Sequence, residues 1–227
     1  MKISKKSLYI VISVLFCSVV MSFIDGIISP PYMVKSGLKI VLFLLIPLIY
    51  FLLNKEDSHI LKGLFLPRKK DLKLALLLGA VVYLIVIGGY LLLGRFIDFS
   101  GIAQSLTTGI GVNAGNFVYV AIYISFVNSL LEEFFFRGFS FILLKKETSA
   151  KFAYIFSSAL FALYHLGMTG GWFSPVIYVL ALSGLFVGGC IFNFLNEKCE
   201  NIYPSWLVHM CANFAINTVG FIIFGII

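Results

Sequence analysis

The sequence predicts an all-α membrane protein: a polytopic bundle of about seven transmembrane helices that forms a single membrane domain over residues 1–227. Three observations predict this class. Of the 227 residues, 60% are hydrophobic and 12% are charged, whereas a soluble domain is about half apolar and about a quarter charged. The mean hydropathy is +1.03. The apolar residues are gathered in runs that approach the length needed to cross a bilayer.

Each spanning helix needs about 20 mostly apolar residues. The candidate spans are Leu8–Ile28, Leu38–Leu53, Leu72–Leu93, Asn116–Leu144, Phe152–Leu166, Pro175–Leu195 and Pro204–Ile227. Turn-forming residues are expected to break the chain at Pro30-Pro31, from Gly101 to Gly115 and from Gly167 to Pro175. The second and fifth spans are short. Gly184 and Gly188 have the spacing of small residues at helix interfaces, so close helix approach is expected there.

Basic residues are distributed unevenly between the two predicted sides of the membrane. With a cytoplasmic N-terminus, the cytoplasmic side holds Lys2, Lys5, Lys6, Lys55, Lys62, Arg68, Lys69, Lys70, Lys73, Lys145, Lys146, Lys151 and Lys198. Only Lys35, Lys39 and Arg95 fall outside. Because positive charge concentrates in cytoplasmic loops, this asymmetry predicts a cytoplasmic N-terminus. A net charge of +7 arranged in short patches between apolar runs does not indicate a nucleic-acid partner.

The basic N-terminus and the apolar run Leu8–Phe23 resemble a signal peptide. No small-residue cleavage site follows, so we expect a retained first helix. The basic loop from Asn54 to Lys73 contains interspersed apolar residues, and we expect it to lie on an anionic lipid surface. Membrane lipid is therefore an expected partner. Abundant Lys, Ile, Phe and Asn indicate an AT-rich genome, which favours a bacterial cell membrane as the location.

Charged side chains interrupt the fourth span, where ionised groups are costly and usually face a protein interior or a watery cavity. Glu133 and Arg137 are four residues apart, so they share a helix face and can form an ion pair. Glu132 points about 100° away and is free to meet another group. We therefore expect Glu133 to brace the helix and Glu132 to take part in chemistry. The rings Phe134–Phe136 are expected either to face lipid or to pack in the interior.

Two histidines lie in later apolar runs. His165 follows Phe161 by one turn, so the two rings are expected to pack together, and His209 precedes Asn213 by one turn on the same face. Counted at 1.5 Å per residue from the flanking lysines, Glu132 and His165 lie at a similar depth, about 20 Å from the cytoplasmic side. His209 is expected to lie somewhat shallower and Asn213 deeper. These groups can converge if the helices form a bundle.

These side chains fit two kinds of hydrolytic chemistry. A carboxylate beside an imidazole can activate water as a general base, and an imidazole and an amide can donate hydrogen bonds to an oxyanion. Alternatively, carboxylates and imidazoles can ligate Zn²⁺. The candidate zinc ligands are Glu132, Glu133, His165 and His209. The metalloprotease signature HExxH is absent.

Three motifs in this order resemble those of the CPBP intramembrane proteases, also called the CAAX-protease and bacteriocin-processing, or Abi, family. They are Glu132-Glu133-x-x-x-Arg137, Phe161-x-x-x-His165 and His209-x-x-x-Asn213. The resemblance covers residues 114–221, which we predict to form a catalytic core. Residues 1–113 match only in being hydrophobic and are expected to add N-terminal transmembrane helices.

The resemblance implies an endopeptidase that hydrolyses a peptide bond of a membrane-associated peptide or protein, with no cofactor or with zinc as an alternative. It implies that Glu132 and His165 activate water and that His209 and Asn213 donate to the oxyanion. Glu133, Arg137 and Phe161 are implied to support the site or to position the substrate.

Two other functions remain open from the sequence. The family includes bacteriocin self-immunity proteins and membrane regulators, so a non-catalytic membrane protein is one alternative. An ion-coupled carrier also uses intramembrane carboxylates and histidines, although no pair of broken helices in matching halves is visible. The sequence does not predict an oligomeric state.

Overall fold

The computed structural model describes residues 4–97, 99–169 and 174–227. Within these ranges the chain forms helices and turns without strands. Six of the described helices are long and apolar enough to cross a membrane, and a shorter apolar helix covers Ala150–Leu163. The protein is thus an integral membrane protein with an all-α polytopic architecture, as predicted.

Ten helices are numbered here in chain order within the described ranges. They are α1 Lys5–Ile28, α2 Tyr32–Leu53, α3 Ser58–Leu64, α4 Lys69–Leu93, α5 Ser100–Ile110, α6 Phe117–Glu147, α7 Ala150–Leu163, α8 Leu166–Thr169, α9 Pro175–Cys199 and α10 Tyr203–Ile223. Short 3₁₀ turns cover Lys55–Asp57 and Gly94–Phe96.

Several long helices contain π-helical turns. These turns are Ile24–Ile28 in α1, Val41–Leu45 in α2, and Ile124–Asn128 and Glu133–Ile142 in α6. π-Helical turns are rare and often occur at functional sites. The longest one covers most of the charged stretch of α6.

Two sequence predictions about the spans need correction. The fifth predicted span is α7, which has 14 residues and is shorter than the roughly 20 needed to cross a bilayer. The segment from Gly101 to Gly115 was predicted as turns, but its first part forms α5. Glycine costs a helix interior only about 1 kcal/mol, so neighbouring residues can outweigh it. The helix ends at Ile110, and the next residue, Gly111, has a φ of 75°, which glycine adopts readily.

The third predicted break lies partly outside the described residues, which omit 170–173. The described part of it belongs to α8. Pro30-Pro31 does separate α1 from α2, as predicted. Lys2 and the side chains of Lys69 and Lys70 also lie outside the described part, and the sidedness of the membrane stays a prediction.

An aromatic cluster fills the bundle around α6. Phe135 stacks on Phe43 of α2, with ring centroids 4.1 Å apart and planes 7° apart. Phe136 makes contacts with the rings of Phe161 and Tyr164 at 5.5 and 5.2 Å. Phe134, Phe135 and Phe136 are all buried. These three rings therefore pack in the interior and do not face lipid.

The close approach between α7 and α9 occurs at Gly189 and not at the predicted glycines. A Cβ built on Gly189 would lie 3.1 Å from both Cα and Cβ of Ser158, whereas Gly184 and Gly188 have no such neighbour within 4 Å among the described residues. The spacing of small residues identified the correct helix but the wrong face, because a shift of one residue rotates the interface by about 100°.

The first helix packs into the bundle along its whole length. Ile10 and Val14 are fully buried in the core. At the end where α1 begins, Lys6 forms a 2.8 Å hydrogen bond with Asp57, which also accepts one from Tyr50 at 2.9 Å. These contacts make α1 a structural part of the domain.

Candidate active site

Helix α6 places three charged side chains in the protein interior. Glu132 is 2% exposed, and Glu133 and Arg137 are fully buried. The two neighbouring carboxylates have different hydrogen-bond partners: Glu132 accepts from Lys39 of α2, whereas Glu133 is bonded to His209 of α10. Burial of a charge is costly unless it is paired, and each of these groups has an ion-pair partner.

The two carboxylate oxygens of Glu132 have different surroundings. Oε1 accepts hydrogen bonds from Nζ of Lys39 at 2.5 Å and from Nδ2 of Asn128 at 2.6 Å. Oε2 lies 3.7 Å from Nε2 of His209. That distance is too long for a direct hydrogen bond but suits two groups that share one water molecule. One oxygen is therefore anchored, and the other faces an imidazole.

Lys39 corrects the predicted charge map. It was assigned to the outside, but its side chain is only 12% exposed and pairs with Glu132. Lys35, also assigned to the outside, pairs with Asp25 of α1 at 2.9 Å and is 10% exposed. The two lysines are one turn apart, so both face the bundle interior. They are interior ion-pair partners and not loop charges that orient the protein.

Glu133 connects two basic groups. Its Oε1 lies 2.9 Å from Nδ1 of His209 and 3.3 Å from Nη1 of Arg137. The predicted brace between Glu133 and Arg137 is thus present as an ion pair, although its angles are not those of a hydrogen bond. The guanidinium nitrogens of Arg137 have no hydrogen-bond partner within the described part of the chain. Instead, the guanidinium lies 4.0 Å from the Phe161 ring centroid and 4.8 Å from that of Phe192.

His165 lies at the end of α7, in the turn before α8. Its Nδ1 is 2.7 Å from the carbonyl oxygen of Phe161. We assign the ring hydrogen to Nδ1, since a carbonyl only accepts, and Nε2 of the neutral ring is then an acceptor. The ring packs against those of Phe161 and Tyr164 at 5.2 and 4.2 Å, so the expected contact with Phe161 is present. Tyr164 in turn accepts a hydrogen bond from Lys39 at 3.2 Å, which connects this turn to the partner of Glu132.

Helix α10 supplies His209 and Asn213. The His209 ring stacks on Phe192 at 5.2 Å with an interplanar angle of 23°, and its Nδ1 is held by Glu133. Asn213 donates from Nδ2 to the carbonyl oxygen of Ile124 at 3.1 Å, which uses one of its two amide hydrogens. Asn213 is half-buried, as are Asn128 and His165, whereas Glu132 and His209 are buried.

The described geometry does not fit a zinc ion. Among the described residues, no three His, Cys, Asp or Glu side chains are arranged to hold one metal. An ammonium group already contacts Oε1 of Glu132, and Nδ1 of His209 is bonded to Glu133.

Sequence reasoning missed three residues that contact this cluster: Lys39, Asn128 and Tyr164. A signal was available for two of them. Asn128 precedes Glu132 by one turn, which puts both on one helix face. Lys39 is the second residue of the predicted span Leu38–Leu53, and an ionisable residue within a span indicates a function or a buried partner. Tyr164 has no such signal, because tyrosine is common in membrane helices.

The fold and this cluster define a class: a polytopic membrane protein whose helix bundle contains two adjacent carboxylates, two histidines and an asparagine. Residues 114–215 match the model of a protein family described as Type II CAAX prenyl endopeptidase Rce1-like. No curated protein and no solved structure matches the chain. Residues 114–215 are thus similar to CAAX-type intramembrane endopeptidases, and the resemblance to the CPBP family is confirmed.

Proposed function

We propose that the protein hydrolyses a peptide bond of a membrane-associated peptide or protein, with Glu132 as the general base. The observation that carries this proposal is the asymmetry of Glu132. Its Oε1 is anchored by Lys39 and Asn128, and its Oε2 faces His209. A buried carboxylate held in this way has one oxygen available to a water molecule in a fixed direction, which general-base catalysis requires.

In the proposed step, Oε2 of Glu132 removes a proton from water while the water oxygen attacks the substrate carbonyl carbon. The carbonyl π electrons move to its oxygen and form an oxyanion. The C–N bond then breaks, and the proton on Glu132 is transferred to the leaving nitrogen. The products are a carboxylic acid and an amine, and Glu132 returns to its ionised form.

The histidines and Asn213 are proposed to act around this step. His165, whose Nδ1 contacts the carbonyl oxygen of Phe161, is proposed to help orient the attacking water. Nε2 of His209 faces the reacting oxygen of Glu132. After taking up a proton from solvent it can donate to the oxyanion, and it returns that proton to solvent when the oxyanion collapses. The second amide hydrogen of Asn213 is available for the same oxyanion. Glu133, Arg137 and Phe161 are proposed to orient His209 and His165 and, with them, the substrate.

The expected substrate is a peptide segment at the membrane, since the site lies inside the bundle. The family description names a CAAX prenyl endopeptidase, whereas a bacterial location favours an unmodified peptide. We therefore propose cleavage of a membrane-bound peptide, with lipidation as a question for the assay. A bacterial cell membrane is the proposed location.

The test uses the purified full chain in liposomes with two internally quenched peptides that end in a CAAX sequence, one farnesylated and one unmodified. Glu132→Gln is expected to lower kcat by about 100-fold or more, the range of general-base contributions. Glu147→Gln is the matched control, because Glu147 ends the same helix and contacts Ser4. Its activity should equal that of the wild type.

Three outcomes would redirect the proposal. Full activity in Glu132→Gln would remove Glu132 from the mechanism. No cleavage of either peptide by the wild type would favour a non-catalytic immunity or regulatory protein. For the zinc alternative, we expect metal analysis to find less than one zinc per chain and activity to survive 1,10-phenanthroline. Stoichiometric zinc with loss of activity on its removal would support the metalloprotease.

A further inference from the structure

We propose that Lys39 is a positioning residue of this site: its ammonium group keeps Glu132 ionised and fixes Oε1, so that Oε2 alone receives the water. This inference rests on the proposed function. Lys39 lies in α2, outside the segment that matches the protease family. The N-terminal helices would then complete the active site, in addition to adding hydrophobic spans.

The groups around the Lys39 ammonium are hydrogen-bond acceptors and suit a charged lysine. A lysine ammonium has three hydrogens to donate. Nζ of Lys39 has three acceptors: Oε1 of Glu132 at 2.5 Å, Oδ1 of Asn128 at 2.7 Å and the hydroxyl oxygen of Tyr164 at 3.2 Å. Every donor of the ammonium can therefore be used. Asn128 donates to the same Glu132 oxygen that Lys39 contacts, which closes a ring of hydrogen bonds around Oε1.

Packing of α2 fixes the position of Lys39. Phe43 lies one turn further along the helix, is fully buried and stacks on Phe135 of α6. The Lys39 ammonium is 5.6 Å from the Phe43 ring centroid and 5.0 Å from that of Tyr164, within the range of a cation–π contact. The π-helical turn Val41–Leu45 begins two residues after Lys39. The lysine is thus held between an aromatic anchor and the carboxylate of Glu132.

The charges of the cluster explain why Glu132 needs this lysine. A buried carboxylate without a partner is strongly disfavoured and tends to take up a proton. The nearby Arg137 forms its ion pair with Glu133 and not with Glu132. Lys39 is at hydrogen-bond distance from Glu132. Removal of the ammonium should therefore leave Glu132 protonated, and a protonated carboxyl group is not a general base.

The chain offers a matched control for this idea. Lys35 lies one turn before Lys39 on the same face of α2, is similarly buried and forms an ion pair with Asp25. Substitution of Lys35 removes a buried lysine from the same helix without touching Glu132. A difference between the two variants therefore reports on the contact with Glu132 and not on the loss of a buried charge.

The first measurement is kinetic and uses the liposome peptide assay. Lys39→Met is expected to lower kcat by about 100-fold with KM changed less than about threefold, because the general base is lost but the substrate contacts remain. Lys39→Arg restores a cation and should recover at least a tenth of the wild-type kcat. Lys35→Met should keep wild-type kcat. An increase of kcat in Lys39→Met would overturn the inference and show that Lys39 restrains the site.

The second measurement needs no substrate. Dicyclohexylcarbodiimide is an apolar reagent that reacts with protonated carboxyl groups, and peptide mass spectrometry identifies the modified residue. Only a small fraction of Glu132 should be modified in the wild type, in Lys39→Arg and in Lys35→Met. In Lys39→Met the modified fraction should be at least tenfold larger. Glu133 serves as the internal control, since Arg137 and His209 hold it in every variant.

The two measurements separate the inference from the proposed function. If the wild type cleaves neither peptide, the proposed function fails, and the labelling of Glu132 still decides whether Lys39 controls its charge. If Lys39→Met does not fold, judged by gel filtration and helix content, Lys39→Gln takes its place. If Glu132 stays unlabelled in whichever of these two variants folds, the inference is overturned.

Discussion

Nδ1 of His209 lies 2.9 Å from Oε1 of Glu133, although 76 residues separate them in the chain. This hydrogen bond fastens α10 to α6 and determines which nitrogen of the imidazole faces Glu132. The sequence assigned Glu133 to Arg137 alone, whereas the structure shows that one oxygen of Glu133 serves both. The two adjacent glutamates are therefore linked through the His209 ring.

Glu133→Gln is predicted to destabilise the protein because it leaves the fully buried Arg137 without a counter-charge. Removal of one partner of a buried ion pair typically costs about 3–5 kcal/mol. The double variant Glu133→Gln/Arg137→Met removes both charges and should recover at least half of the loss, measured by denaturant unfolding in mixed micelles. Additive losses in the double variant would show that the two side chains are not coupled.

Substitutions of His209 should separate its two nitrogens. Asparagine places an amide NH₂ near the position of Nδ1 and keeps a donor to Glu133, whereas glutamine places its amide nearer to Nε2. We predict that His209→Asn keeps the thermal stability and His209→Gln lowers it. Both should reduce kcat about 100-fold, since neither can accept and return a proton. An active His209→Asn enzyme would exclude a role for Nε2.

Gly188 and Gly189 form a matched pair for testing the interface between α7 and α9. Gly189→Leu should destabilise the protein by about 1–3 kcal/mol, because its side chain would overlap Ser158 and overpacking has this cost. Gly188→Leu should be nearly neutral, since its Cβ meets nothing within 4 Å in the described structure. Unfolding midpoints in detergent measure both. Equal midpoints for the two variants would contradict this helix orientation.

Asp57, in the loop after α2, should make stability depend on pH. Burial alone would raise the pKa of the Asp57 carboxyl, but hydrogen bonds from Lys6 and Tyr50 outweigh this effect and lower the pKa below its usual value. A carboxyl whose folded pKa is depressed stabilises the protein above its unfolded pKa, about 3.9. That contribution is lost as the pH falls from this value through the folded pKa.

The variant Asp57→Asn tests this dependence. At pH 7 it should lower stability by about 1.5–3 kcal/mol, the typical value for hydrogen bonds to a charged group, and the difference from wild type should shrink below about pH 4. Glu56→Gln is the control: Glu56 also contacts Lys6 but is 66% exposed, so its effect should be smaller. Thermal unfolding of all three proteins at pH 7 and pH 3 decides. A difference for Asp57→Asn that does not depend on pH would contradict the charged hydrogen bonds.

Prediction from sequence succeeded where it depended on one helix at a time. The ion pair of Glu133 with Arg137 and the contact of Phe161 with His165 follow from a spacing of one turn, and both are present. Prediction was wrong where it needed the rotation of one helix against another. Gly184 and Gly188 lie on the correct helix, but Gly189 makes the contact.

The candidate site divides in the same way. The sequence identified the polar residues of the spans that carry the family motifs, and the family match covers them. It placed Lys39 outside, because a lysine near the end of an apolar run ordinarily orients the protein by its charge. Only the packing of α2 against α6, fixed by Phe43 on Phe135, turns that lysine toward Glu132.

The sequence by itself determined that this is a helical membrane protein and which polar side chains lie within its apolar spans, because hydropathy and the rise per residue are local properties of a helix. The tertiary structure decided which of those side chains meet. Lys39 and Glu132 are 93 residues apart and pair at 2.5 Å. Depth can be counted along the chain, but the rotation of each helix and the identity of its neighbours come from the packing of all side chains together.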